Sequence, residues 1–317
     1  MLLSCSYVDG GSFLAIPISS SETQIFALRR GKLLENEKEN PWSQAQQNMV
    51  AKVEPYASEL IIPERLLVLP GVSHFGHLIG DGIGIMIATC RKKIPSTLNA
   101  KILLVNPPKS FLRLLEVFEI ITHFRVEHIE KPAYIRSIQG VYLLSSIVNG
   151  VGLVHGSLAM ASELVSIYFR KKYNRAMTEV NGQKKIFLTA GTASRISNSA
   201  DVCQAAARNG WTMLNPLNCD VIETLEQVAT AKKLVSENGS ILFNCFLARH
   251  KPYTVIASPR ISIRIPEWIQ GGYDYNSFHQ SVISYHYAKL DQPSLKHPYA
   301  DQLLLGLCDI ASVFTEK

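Results

Sequence analysis

The chain has 317 residues, 47% of them hydrophobic and 18% charged, with a formal net charge of +6. A mean hydropathy of +0.08 excludes a disordered chain, and the length favours two folded units over one. The pI near 8.9 points either to an anionic partner, a nucleotide phosphate or an acidic membrane surface, or to a mildly basic surface without a partner.

Met1 to Ile18 lacks a basic n-region and carries Asp9, Gly10 and Gly11 inside its apolar part, so it reads as cytoplasmic rather than secretory. Phe13–Ile18 and Gln24–Leu28 are short β-type runs, and Glu35–Gln47 is a polar stretch without a buried period. Residues 1–60 are therefore read as a β-rich prelude with an exposed loop. The longest apolar stretches, Val141–Ile147 and Leu303–Val313, fall short of the roughly 20 residues needed to span a bilayer. The six cysteines have neither CxxC spacing nor a paired framework, so they are expected to be reduced thiols, without zinc.

From Ile61 the pattern alternates strands with amphipathic helices: Lys101–Val105, Ser110–Thr122, Val126–Ile129 and Val141–Val148. Pro107 and Pro108 end a strand, and Ser110 can cap the helix that follows. A helix over Ser157–Lys172 closes this half, and the run from Arg170 to Gln183 reads as a linker, which sets the units at 61–178 and 179–317. The second half restarts the alternation with Lys185–Thr189, Ser199–Asn209, Trp211–Leu214, Glu223–Ala231, Leu234–Ser236, Ser240–Ala248 and Tyr253–Ala257. A last helix, Pro298–Val313, is expected to return to the first unit.

Three stretches carry candidate chemistry. In the first, His77 and Asp81 stand four residues apart and share a helical face, so the carboxylate can orient the imidazole as a general base. The glycines around them, Gly76, Gly80, Gly82 and Gly84, disfavour a helix unless a ligand or backbone approaches closely. His74, His77 and Asp81 can also be read as three metal ligands, with no fourth identified nearby. In the second, the strand at Lys185 runs through Ala190-Gly191-Thr192-Ala193-Ser194 into a helix capped by Asn198 or Ser199. Backbone N–H groups of such a loop attract phosphates and Arg195 adds a forked donor, although Arg195 can equally sit in a surface ion pair. In the third, Glu237-Asn238-Gly239-Ser240 turns from a strand into a helix over Ile241-Leu242-Phe243-Asn244, which makes either a second anion site or a plain capped turn.

In this order the stretches resemble the family 61 glycosyltransferases. Phe75-Gly76-His77-Leu78-Ile79-Gly80-Asp81 is similar to that family's Asn-Tyr-x-His-Trp-x-x-Asp block without its tryptophan, and Arg195-Ile196-Ser197-Asn198 resembles its Arg-x-x-Asn block. Glu226-Gln227, then Asn238-Gly239-Ser240 and Asn244, resemble the closing Glu-Gln…His-Gly-Ala/Ser…Asn block. The resemblance runs from Ile61 to Ser258, with Ala190 and Asn238 standing where the family often has arginine and histidine.

The resemblance implies an α/β, GT-B-like fold of two Rossmann-like domains facing a cleft, the first for the acceptor and the second for the nucleotide sugar. It also implies inverting, metal-independent transfer, consistent with the lack of an Asp-x-Asp motif. His77 and Asp81 would be catalytic, and Arg195, Ser194, Asn198, Gly239, Ser240 and Asn244 would bind the donor. The implied partners are a nucleotide sugar, expected to be a UDP-sugar and acting as co-substrate with no separate cofactor, and a glycan or lipid-linked acceptor met at a membrane surface. Nucleic acid is not expected. Two rival readings stand beside this one. A silent carbohydrate- or nucleotide-binding relative is favoured by Ala190 and Asn238. A nicotinamide-dependent Rossmann enzyme would use Gly80-Asp81-Gly82-Ile83-Gly84, which lacks the third glycine of GxGxxG.

Overall fold

The computed structural model describes residues 4–8, 12–17, 23–29, 32–33, 52, 56–69, 99–105, 107, 109–117, 126–131, 133–145, 157–174, 182–239, 241–242, 244, 253–261, 283–294 and 301–315. The chain divides into two compact units, Met1–Gly152 and Leu153–Lys317. Strand order and register make both units mixed α/β with parallel sheets.

The first unit holds strands β1 (Ser4–Val8), β2 (Ser12–Pro17), β3 (Thr23–Arg29), β4 (Lys32–Leu33), β5 (Ser58–Ile62), β6 (Arg65–Leu69), β7 (Ala100–Val105), β8 (Val126–Ile129), β9 (Ala133–Ser137) and β10 (Val141–Ser145), with helix α1 (Lys109–Val117). One sheet runs β1-β10-β6-β7-β8 and the other β4-β3-β2-β9-β5. The parallel strands β10, β6, β7 and β8 are mostly continuous apolar runs, the pattern of strands covered on both faces. Phe111, Leu114 and Leu115 recur at helical spacing and form the buried face of α1. Leu66, Val68, Leu103, Ile135 and Val141 form the core.

The β-type runs expected near the start are present as β2 and β3, but they do not form a separate prelude. β1 pairs antiparallel with β10, and β2 pairs with β9, so the first residues complete the sheets of the first unit. The polar stretch 35–47 lies outside the described residues.

The second unit opens with helix α2 (Ser157–Tyr173), followed by β11 (Lys185–Leu188), α3 (Ser199–Arg208), β12 (Trp211–Leu214), α4 (Val221–Thr230), β13 (Lys233–Glu237), β14 (Tyr253–Ala257), β15 (Ile283–Tyr287), β16 (Lys289–Gln292), β17 (Gln302–Leu304) and α5 (Leu307–Phe314). Its main sheet, β12-β11-β13-β14-β15, is parallel throughout. Counted in chain order this is the 2-1-3-4-5 arrangement of doubly wound sheets, which reverses direction between β11 and β13.

The expected boundary near 176–183 moves to Gly152/Leu153, because α2 is tied to α4: Tyr168 donates to the Glu226 carboxylate at 2.7 Å and Lys172 binds the same oxygen. Burial pushes the Glu226 carboxyl up, but the hydrogen bonds from Lys172 and Tyr168 outweigh it and hold the carboxyl below its ordinary 4.5. The bond to Glu226 raises Lys172 above its ordinary 10.5. A carboxyl lowered on folding stabilises above the unfolded value and loses that contribution as pH falls. A raised ammonium stabilises below its unfolded value and loses that contribution as pH rises. The tie should therefore act between about pH 4.5 and 10.5. Lys172 is partly exposed, so Glu226→Gln should cost only about 0.5–1 kcal/mol at pH 7, and progressively less below pH 4, in urea unfolding followed across pH.

The final helix also departs from expectation. Residues 302–304 are a strand, the helix begins at Leu307, and it packs into the second unit. Phe314 is fully buried against Phe187 and Trp211, with ring centroids 5.0 and 5.4 Å away, and the Trp211 indole N–H donates to the Phe314 carbonyl at 2.7 Å. The apolar stripe of the helix is satisfied there, by the core built from Phe187, Ile196, Val202, Trp211 and Val235.

Candidate functional site

The strand order reverses between β11 and β13, and doubly wound sheets bind ligands beyond the carboxyl ends of the strands at such a point. Two segments follow these strands there: the loop 189–198 after β11 and residues Asn238 and Gly239 after β13. Gly191 has φ +59, and a Cβ there would lie 2.7 Å from the Asn215 side-chain nitrogen, so glycine is required for the loop to double back. Gly239 has φ +135, and its missing Cβ would lie 3.9 Å from Arg195 Nη1. The second stretch and the third therefore meet, with the guanidinium over the glycine.

Arg195 is half-buried, and among the described residues its guanidinium makes no hydrogen bond or ion pair. Burial lowers its pKa, opposed by the carboxylates of Glu237 and Asp301. It stays charged, as arginine does in proteins. Asp301 is itself spoken for: it is buried, accepts from Ser258 Oγ at 2.7 Å and Ser294 N at 2.8 Å, and pairs with Arg260 at 2.8 Å.

The remaining expected donor ligands have other partners. Ser194 Oγ donates to Glu237 at 2.8 Å and accepts from Ile196 N at 3.1 Å, so it shapes the loop. Asn198 does not cap α3 with its side chain. Its Nδ2 donates to the Leu305 carbonyl at 2.8 Å and its Oδ1 accepts from Leu305 N at 3.2 Å. With Leu303 N to Arg195 O and Ser197 N to Leu303 O, both 2.7 Å, β17 clamps the Arg195 loop.

Asn244 is fully buried and donates to the Ile241 carbonyl at 2.9 Å, while its Oδ1 has no partner among the described residues. Asn238 Nδ2 is likewise buried without an acceptor among them. Ser240, His77, Asp81 and His74 lie outside the described residues.

Glu237, which opens the third stretch, has a role that the sequence reading did not give it. Glu237 ends β13 almost fully buried, and its carboxylate accepts from Thr189 Oγ1 at 2.5 Å, Ala190 N at 3.2 Å, Ser194 Oγ at 2.8 Å and Arg195 N at 3.3 Å. The expected phosphate loop thus already has an anion inside the protein. The available signal was an acidic residue ending an otherwise buried strand, a position where a charge needs partners. Burial, then Glu237, also pushes the neighbouring Cys203 thiol up, against a hydrogen bond with Thr189 that pulls it down.

Residues 64–257 match the family model for Glycosyltransferase 61. No curated protein matches the chain. Among solved structures it is similar to the bacterial iron-containing dodecameric glycosyltransferase TibC from enterotoxigenic E. coli H10407, at 10% identity and a TM-score of 0.32 over 80% of this chain and 75% of that one. A dodecameric iron-containing heptosyltransferase TibC in complex with ADP-D-beta-D-heptose matches at 11% identity and a TM-score of 0.34, over 80% of this chain and 77% of that one.

Proposed function

The chain belongs to glycosyltransferase family 61 and is a glycosyltransferase, and from that premise we propose that it moves a sugar from a nucleotide-sugar donor to a hydroxyl acceptor with inversion, using protein cations rather than a metal on the leaving diphosphate. The observation that carries this reading is the half-buried Arg195 guanidinium, unpaired among the described residues and set against Gly239 at the sheet's reversal point. Burial disfavours that charge more than the nearby carboxylates of Glu237 and Asp301 favour it, and a diphosphate would supply a direct partner. The Asn238 amide nitrogen, buried without an acceptor among the described residues, adds a second donor for a phosphate oxygen.

In this scheme the second unit holds the donor. Arg195 neutralises charge that grows on the diphosphate as the sugar–oxygen bond breaks, which is stabilisation specific to the transition state. His77, oriented by Asp81, removes the acceptor proton as the hydroxyl attacks the far face of the sugar carbon. The GT-B arrangement, a UDP-sugar as donor and a glycan or lipid-linked acceptor at a membrane surface are part of the same proposal. No helix among the described residues is long and apolar enough to cross a membrane.

The test is a thermal-shift screen of nucleoside diphosphates and nucleotide sugars, with UDP-sugars first, followed by assay of sugar transfer with the stabilising donor. A ligand at 100 times its Kd raises stability by about 2.7 kcal/mol, so selective stabilisation should be plain. Failure of every diphosphate to shift the unfolding midpoint would sink the reading.

A further inference from the structure

The four donors that converge on Glu237 are the groups that a phosphate-binding loop offers its ligand: two backbone N–H groups and two hydroxyls, at the carboxyl end of β11 beside the reversal point. Two further N–H groups of the loop, of Ala193 and Ser194, are bonded within it, to the Ala190 and Gly191 carbonyls. Gly191 N and Ile196 N bond the same two hydroxyls, Thr189 and Ser194, that hold the carboxylate. The loop is therefore wrapped around Glu237, which reaches it from β13.

We infer that Glu237 is a resident anion that fills the donor nest of loop 189–195, thereby denying it to the donor's diphosphate and assigning that group to the Arg195 side chain and the Asn238–Gly239 turn. The inference rests on the diphosphate-binding role given to Arg195 above and deepens it. Glu237 is a positioning residue. It touches no substrate, fixes the backbone N–H of Arg195 and so sets where the guanidinium starts, and its negative charge repels a phosphate from the loop. The sequence is consistent with such a shift. Ala190, standing where the family often has an arginine, contributes only its backbone N–H, and that N–H goes to Glu237.

An emptied nest should accept an anion from solution, and this gives a test independent of sugar transfer. Inorganic phosphate binding is measured by calorimetry for Arg195→Ala and for Glu237→Ala/Arg195→Ala. The double variant should bind about tenfold more tightly or better, since hydrogen bonds to a charged group are stronger than those between neutral ones. Equal binding by the two variants would overturn the inference. Formate should raise the unfolding midpoint of Glu237→Ala well beyond its effect on the unaltered protein, and no excess effect would count against the nest.

If Glu237→Ala does not fold with or without formate, Glu237→Gln decides. This substitution keeps the shape and removes the charge beside Arg195, so pyrophosphate should bind several-fold more tightly than to the unaltered protein, whereas a purely structural residue would leave binding equal or weaker. Pyrophosphate binding to the unaltered protein that ignores Arg195→Ala would overturn the proposed donor site alone, leaving the phosphate comparison to judge the nest.

Discussion

Replacing Arg195 by alanine should lower sugar transfer by about 10²–10³-fold, the loss seen when one preorganised charge-stabilising donor is removed. Stability should move the other way. Arg195 has no ion-pair partner among the described residues, and burial disfavours its charge, so the unliganded variant should unfold at the same midpoint or slightly higher. Arg195→Lys keeps the charge but loses the planar fork, and should recover only part of the rate. Steady-state kinetics with the stabilising donor, beside thermal unfolding without it, read both effects. A variant with full turnover, or one that merely unfolds early, would remove Arg195 from the reaction.

The largest loss of stability is expected at Phe314→Ala. The ring is fully buried between Phe187 and Trp211, and its removal leaves a cavity that a parallel sheet on one side and α3 on the other cannot close. Phe→Ala in such a site costs about 3–5 kcal/mol. For a unit of this size that lowers the unfolding midpoint by on the order of 10 °C, measured by calorimetry or by circular dichroism on heating. A shift of only a degree or two would mean that the final helix is a surface appendage and not part of the core.

The alternation of the second half was readable because its inner strands are short apolar runs, such as Lys185–Leu188 and Tyr253–Ala257, and its helices show a clear stripe. What could not be read was pairing between distant segments. Nothing local in Ser4–Val8 says that it lies beside Val141–Ser145, and α2 presents apolar residues without revealing which sheet they cover. Leu303 to Val313 is one leucine-rich run, and its first part is a strand because it pairs antiparallel with Lys289–Gln292 and bridges to Ile196.

Of the candidate site, two residues expected together, Arg195 and Gly239, do meet. The partners of Ser194 and Asn198 were not legible, because Glu237 and Leu305 lie 43 and 107 residues away. The role of Glu237 was invisible for the same reason. Its four donors come from a loop some forty residues earlier, and a glutamate ending a strand carries no mark of what it will hold.

The clamp by β17 also has a bearing on how the enzyme is made. Asn198 leaves the ribosome 107 residues ahead of the Leu305 backbone that it must grip. At about 5–20 residues per second, the loop bearing the cation waits on the order of 10 s without its brace. The loop bearing Arg195 is therefore set only once residue 305 has been made, and a nascent chain released before it would carry a complete parallel sheet yet an unbraced loop at 195–198.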